Sequence, residues 1–111
     1  MHRVLIEHQE GTALVLASGE LDAFAAPDLA AAFSELAGTR RVVADLTRVS
    51  FMDSTALGEI VRAARARDEL GAALRVVLPD GAARRIFEIT ALDRALPVAE
   101  SRLAALAELV S

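Results

Sequence analysis

The sequence predicts an α/β domain on a mixed, mostly parallel sheet, with element order β-β-α-β-α-β-α-β-α. Three observations carry this. Short β-branched runs alternate with stretches whose apolar residues recur at helical spacing. The first two strands are separated only by Gln9-Glu10-Gly11, so they form an antiparallel hairpin, whereas each later strand follows a helix and must be reached by a parallel crossover. The 111 residues suit one packed core, so a single domain covering 1–111 is expected, with no linker, repeat or low-complexity tract.

Each element has its own signal. Arg3–His8 and Thr12–Ser18 read as the hairpin strands, and Gly19-Glu20-Leu21-Asp22 leaves the second. Pro27 suits a first helical turn, where its missing N–H is no loss. Leu29, Ala32, Phe33 and Leu36 then share one face, and Gly38 is the expected left-handed stop. Arg41–Leu46 reads as a buried strand and Ser50–Asp53 as a loop. The second helix begins near Ser54, with Leu57, Ile60, Val61 and Ala64 inward, Glu59, Arg62, Arg65 and Asp68 outward, and Gly71 at its end. Leu74–Leu78 is the next strand. A third helix carries Ala83, Ile86, Phe87 and Thr90 on one face. Leu96–Ala99 is a short last strand. Ser101 caps a final helix with Leu103, Leu106, Ala107 and Val110 aligned. With no apolar helix face left over, a monomer is expected.

Composition removes several function classes. With no cysteine, disulfides and thiolate metal sites are excluded. No apolar run is long enough to span a bilayer and no secretory leader is evident, so a cytoplasmic location is expected. The net charge is −4, and all twelve basic residues are arginine. They are scattered, with no basic block or aromatic platform for nucleic acid, and their uniformity reads as the codon bias of a GC-rich genome. Phosphate-cradling motifs of the G-x-x-x-x-G-K-[ST] and G-x-G-x-x-G types are absent.

The segment FMDSTALGEI (Phe51–Ile60) stands out, because Asp53-Ser54-Thr55 sits where a helix starts. A catalytic serine is disfavoured. Its hydroxyl needs an oriented base, the chain has only His2 and His8, and no G-x-S-x-G elbow surrounds Ser54. Asp22, Asp45 and Asp53 could converge, but three carboxylates without histidine make a weak metal site. The plainest reading is an N-cap. A surface serine at the positive end of a helix dipole is also a place where a phosphate would meet unpaired N–H groups. A dianion there would spare the fold and disrupt a partner docked over it.

Four segments carry a family likeness: GELD (Gly19–Asp22), APDL (Ala26–Leu29), DLTRVSFMDSTALG (Asp45–Gly58) and RRIFEITALDRALPV (Arg84–Val98). In this order the chain resembles the STAS domain family, in its bacterial anti-sigma factor antagonist branch. The resemblance implies helices packed mainly on one face of the sheet. It implies that Ser54 is a phosphoacceptor and that Asp22, Asp53, Thr55, Leu57 and Gly58 contact a partner, with no catalytic residue. The partner implied is a serine-kinase anti-sigma factor that uses ATP; the chain itself would need no metal or cofactor. The unphosphorylated protein would bind that kinase and free a sigma factor, and a PP2C-type phosphatase would reset the phosphorylated form. Ala56 and Ala91 stand where the family most often has glycine, and the Ala56 methyl could trim partner choice. The alternatives are a STAS subunit without phosphorylation, docking on an ABC-type lipid transporter, or another STAS interaction module such as a stress-sensing scaffold.

Overall fold

The structure, a computed structural model, describes residues 1–79, 81–89 and 96–110. One sheet contains β1 (His2–Gln9), β2 (Thr12–Leu21), β3 (Arg41–Met52), β4 (Ala73–Val77) and β5 (Val98–Ala99), in that spatial order. β1 runs antiparallel to β2, and every other pair is parallel. Helices α1 (Ala26–Glu35), α2 (Ser54–Glu69) and α3 (Ala82–Ile89) make the crossovers, and α4 (Arg102–Val110) follows β5. The predicted mixed α/β order is therefore the observed one. Among the described residues no helix is long and apolar enough to cross a membrane.

The hairpin turn is Glu10-Gly11, both at positive φ, the primed geometry that matches strand twist. Because side chains alternate along a strand, the sheet has two apolar faces. Ala13, Val15, Val42, Ala44, Leu46, Leu74 and Val76 meet Leu29, Ala32 and Leu36 of the α1 region and Ala56 and Ile60 of α2. Leu14, Val43 and Val77 project the other way and pack on Ala105 and Leu109 of α4. The expected one-sided packing holds for α1 and α2, while α4 covers the opposite face.

β3 departs most from expectation. It runs twelve residues, through Ser50–Met52, where a loop is expected. Two register shifts explain why. Between the Leu16↔Asp45 and Ser18↔Arg48 pairs β3 gains one residue on β2, and between Gly19↔Val49 and Glu20↔Phe51 it gains another. Each bulge reverses the alternation. Val49 and then Met52 thereby return to the buried face, while the sequence shows only a broken period.

Helix ends are also partly corrected. Gly71, at φ +69, closes α2 as expected. Ala72 N–H reaches Arg67 O at 2.8 Å and Gly71 N–H reaches Asp68 O at 3.1 Å, the paired bonds of a Schellman cap. Gly38 is not among the positive-φ glycines. The α1 region ends in tightened turns instead, with Ala37 N–H on Ser34 O and Thr39 N–H on Leu36 O. Ser101 caps α4 through Ala104 N–H at 3.0 Å. The α4 stripe is Ala105 and Leu109 with Leu106, and Leu103 is 79% exposed rather than inward. The face expected for α3 falls on side chains outside the described residues.

Among the described residues two charged side chains are buried. Arg67 is 5% exposed. Its guanidinium donates to Leu36 O at 3.2 Å, to Thr39 O, and twice to Ala73 O, at 3.2 and 3.1 Å. It thus joins α2 to the chain after α1 and to the start of β4, and its desolvation lowers its pKa. Asp45 is 3% exposed. Burial raises its pKa, but Thr47 Oγ1 and N–H and the Arg102 guanidinium outweigh this and hold the carboxyl below its ordinary value. Arg102 Nε donates to Oδ2 at 2.7 Å, tying α4 to β3.

Two outcomes are expected. Arg67→Met removes the guanidinium donors from three carbonyls, of which Leu36 O keeps the Thr39 N–H, and should lower unfolding free energy by about 2 kcal/mol in urea titrations; a loss under about 0.5 kcal/mol would show that the carbonyls find other donors. Asp45 has a depressed folded pKa, so its contribution is complete above the unfolded value of about 3.9 and disappears as pH falls through the lower folded pKa. The acid limb of a stability–pH curve should flatten in Asp45→Asn; an unchanged limb would contradict this assignment.

Candidate functional site

β2 and β3 end side by side. Leu21 pairs with Met52, both are buried, and Asp53 N–H donates to Leu21 O at 3.0 Å. The next residues, Asp22 and Asp53, therefore emerge together at the parallel strands' C-terminal edge. They do the same work twice. Asp22 Oδ1 accepts N–H bonds from Phe24 at 3.0 Å and Ala25 at 3.1 Å, shaping the turn into α1. Asp53 Oδ1 accepts from Thr55 and Ala56, both at 3.0 Å, as the N-cap of α2. The expected cap is thus Asp53.

This leaves Ser54 as the first residue of α2, and both it and Thr55 are exposed. Ala56 is fully buried and belongs to the main core. Its methyl points away from the Ser54 surface, so the expectation that it trims partner choice is corrected. The expectation of free N–H groups for a phosphate is also narrowed. The Thr55 and Ala56 donors are occupied by Asp53, and Leu57 N–H bonds Asp53 O at 3.0 Å. A phosphate on Ser54 would meet the helix dipole and, beside it, the Asp53 carboxylate.

A shallow groove of about 410 Å³ runs from Ser54 along α2, lined by Leu57, Gly58, Val61, Arg62 and Arg65. Leu57 and Gly58 are half-buried. Gly58 lies one turn after Ser54, on the same helix face. A Cβ built at Gly58 would meet nothing within 4 Å, so no internal packing requires glycine there, and glycine in a helix interior costs about 1 kcal/mol against alanine. Arg62 and Arg65, expected to face water, line this groove; the i, i+4, i+8 spacing of Ser54, Gly58 and Arg62 is the sequence signal for the place of Arg62 in it. Arg62 is ion-paired with Glu59.

The structure brings five of the six predicted site residues together through α2's first turns and its cap: Asp53, Ser54, Thr55, Leu57 and Gly58. Asp22 joins them from the end of β2. Asp45 does not converge; it lies within β3, held by Thr47 and Arg102. Among the described residues no group of three His, Asp or Glu could hold a metal ion. His2 Nε2 is hydrogen-bonded to Asp28 Oδ2 at 2.6 Å.

Comparisons with known proteins bear on the family and the fold. The family model of the STAS domain matches residues 3–105. A Staphylococcus aureus protein named anti-sigma-B factor antagonist is 34% identical over 88 residues, covering 78% of this chain and 82% of its own. The crystal structure of an anti-sigma factor antagonist from Mycobacterium paratuberculosis superposes with TM-score 0.85 at 29% identity, over 100% of this chain and 96% of the other. The phosphorylated form of the Bacillus cell fate determinant SpoIIAA has the same fold, with TM-score 0.72 at 22% identity, over 96% of this chain and 98% of the other.

Asp53→Ala should lower stability by about 1 kcal/mol in chemical denaturation, with Asp53→Asn retaining most of it because the amide oxygen still accepts. Equal stability of wild type and Asp53→Ala would remove Asp53 as the cap that sets Ser54.

Proposed function

The chain belongs to the STAS domain family, and from that premise we propose that it is an anti-sigma factor antagonist switched by phosphorylation of Ser54. The unphosphorylated form binds a serine-kinase anti-sigma factor, which releases a sigma factor. The kinase uses ATP to phosphorylate Ser54 and then lets go, and a PP2C-type phosphatase restores the hydroxyl. The protein is binding partner and substrate, with no catalytic residue or cofactor of its own. The observation that carries this reading is an exposed serine at the first position of a helix capped by its own preceding aspartate.

The geometry supports each role. Asp53 fixes the helix start, so the Ser54 hydroxyl is presented from rigid backbone. Thr55, Leu57 and Gly58 supply contact surface, with Gly58 leaving room that nothing within the chain uses. Asp22 sets the adjoining turn. A phosphate adds about −1.5 to −2 charge beside the Asp53 carboxylate. Desolvating that cluster under a docked partner is unfavourable by several kcal/mol, and about 4 kcal/mol is a thousandfold in affinity. Relatives named for antagonism of anti-sigma factors and a structural neighbour described in a phosphorylated form support the same reading.

Incubation with ATP and candidate serine-kinase anti-sigma factors, followed by mass spectrometry, should place phosphate on Ser54 and none on Thr55, with no incorporation in Ser54→Ala. Ser54→Asp should weaken kinase binding about a hundredfold while moving the melting temperature little. Unmodified protein that instead co-purifies with a transporter subunit would overturn the switch and favour the transporter-docking STAS class.

A further inference from the structure

β1 is the outermost strand of the sheet, and its free edge is self-complementary. The two-residue turn makes Gln9 and Thr12 the hydrogen-bonded pair that closes the hairpin. By alternation Arg3, Leu5 and Glu7 direct their backbone groups toward β2, opposite Ser18, Leu16 and Leu14, and Val4 and Ile6 direct theirs toward the open edge. An antiparallel join of two such edges must set outward residues against outward residues. The register centred on Leu5 does this. It places Val4 against Ile6 as hydrogen-bonded pairs, Leu5 against Leu5, and Arg3 against Glu7 twice. Moving the dyad to Val4 or Ile6 puts Arg3 or Glu7 opposite Leu5 and loses both charge pairs.

We propose that the protein self-associates as a two-fold dimer through β1, forming a continuous ten-stranded sheet, with a second copy of this chain as the occupant of the edge. Charge complementarity selects that occupant: Arg3 and Glu7 stand two residues either side of the dyad, so one strand carries both halves of each pair. Opposite charges across a non-hydrogen-bonded position stabilise a pair of strands, and like charges there destabilise it. Leu5, 46% exposed, supplies the apolar centre, at the position where opposed side chains come closest. α4 packs on β3, β4 and β5 and leaves this side of β1 open. On the helix side Asp28 and Glu35 border the same edge, and their approach to the second copy keeps the association weak. The dimer departs from the monomer expected from helix faces alone. Ser54 follows β3, with β2 between β3 and this edge, so both switch sites stay available.

Sedimentation equilibrium of the full chain at neutral pH, up to about millimolar concentration, should show a reversible monomer–dimer equilibrium. Arg3→Glu and Glu7→Arg alone should each weaken it about tenfold or more, since each sets like charges opposite at both positions. Mixing the two variants should restore dimer, because each then supplies the charge the other lacks, and the double variant Arg3→Glu with Glu7→Arg should dimerise on its own. Both positions are exposed, and circular dichroism should confirm that every variant is folded. A wild type that stays monomeric throughout overturns the proposal, and so does a dimer indifferent to these variants or a mixture that fails to rescue.

Discussion

Parallel pairing of β2 with β3 is the constraint from which the rest follows. β3 is two residues longer than its partner across the paired stretch, and it absorbs the excess in two bulges without leaving the sheet. The first shift carries Val49 inward and the second carries Met52 inward. Both strands therefore end on a buried side chain at the same level, Leu21 beside Met52. Asp22 and Asp53 follow at once, and each spends one carboxylate oxygen on two N–H groups. The two reversals cancel, so Met52 keeps the face of Val42, and their net effect is to bring Met52 level with Leu21 rather than two residues beyond it, which sets where α2 and Ser54 begin.

The buried charges hold this frame from behind. Arg67 lies near the far end of α2 from Ser54, and it bonds carbonyls on the α1–β3 connection and at the start of β4. These carbonyls sit where the connection turns and where β4 begins. A long planar donor with five N–H groups fits three diverging acceptors. Asp45 and Arg102 act similarly on the other face, giving α4 a fixed point beyond its small apolar contact with the sheet.

Much of this was legible in sequence because local chemistry decided it. Glu10-Gly11 marked the hairpin, Pro27 the first turn of α1, Leu29, Ala32 and Leu36 its buried face, Gly71 a Schellman end, and Ser101 a cap. The helix start at the candidate site was legible for the same reason, since Asp53-Ser54-Thr55 announces it by hydrogen-bonding capacity alone. What escaped was settled at long range. The continuation of β3 through Ser50–Met52 depends on β2 holding it in register, and its alternation is broken twice. Arg67 looks like any solvated helix residue until the carbonyls it serves, some thirty residues away in sequence, are brought beside it. Leu103 fits the helical period as well as Leu109 does, and only the position of the sheet chooses between them. Gly38 could have taken a left-handed cap, but the turns after Glu35 satisfy the local groups another way.

Ala56 and Gly58 also bear on how the protein can drift over generations. Glycine and alanine codons differ by one base, so either position can be exchanged in a single mutational step. At position 56 the exchange alters only a core contact, filled or left empty by one methyl, and selection there acts through folding. At position 58 the same step leaves the fold untouched or firmer and places a methyl on the surface beside Ser54. A lineage can thus wander at 56 with its surface unchanged. At 58, if the proposed partner contact holds, one base change reshapes that contact in a duplicated copy, with no loss of stability to slow the divergence.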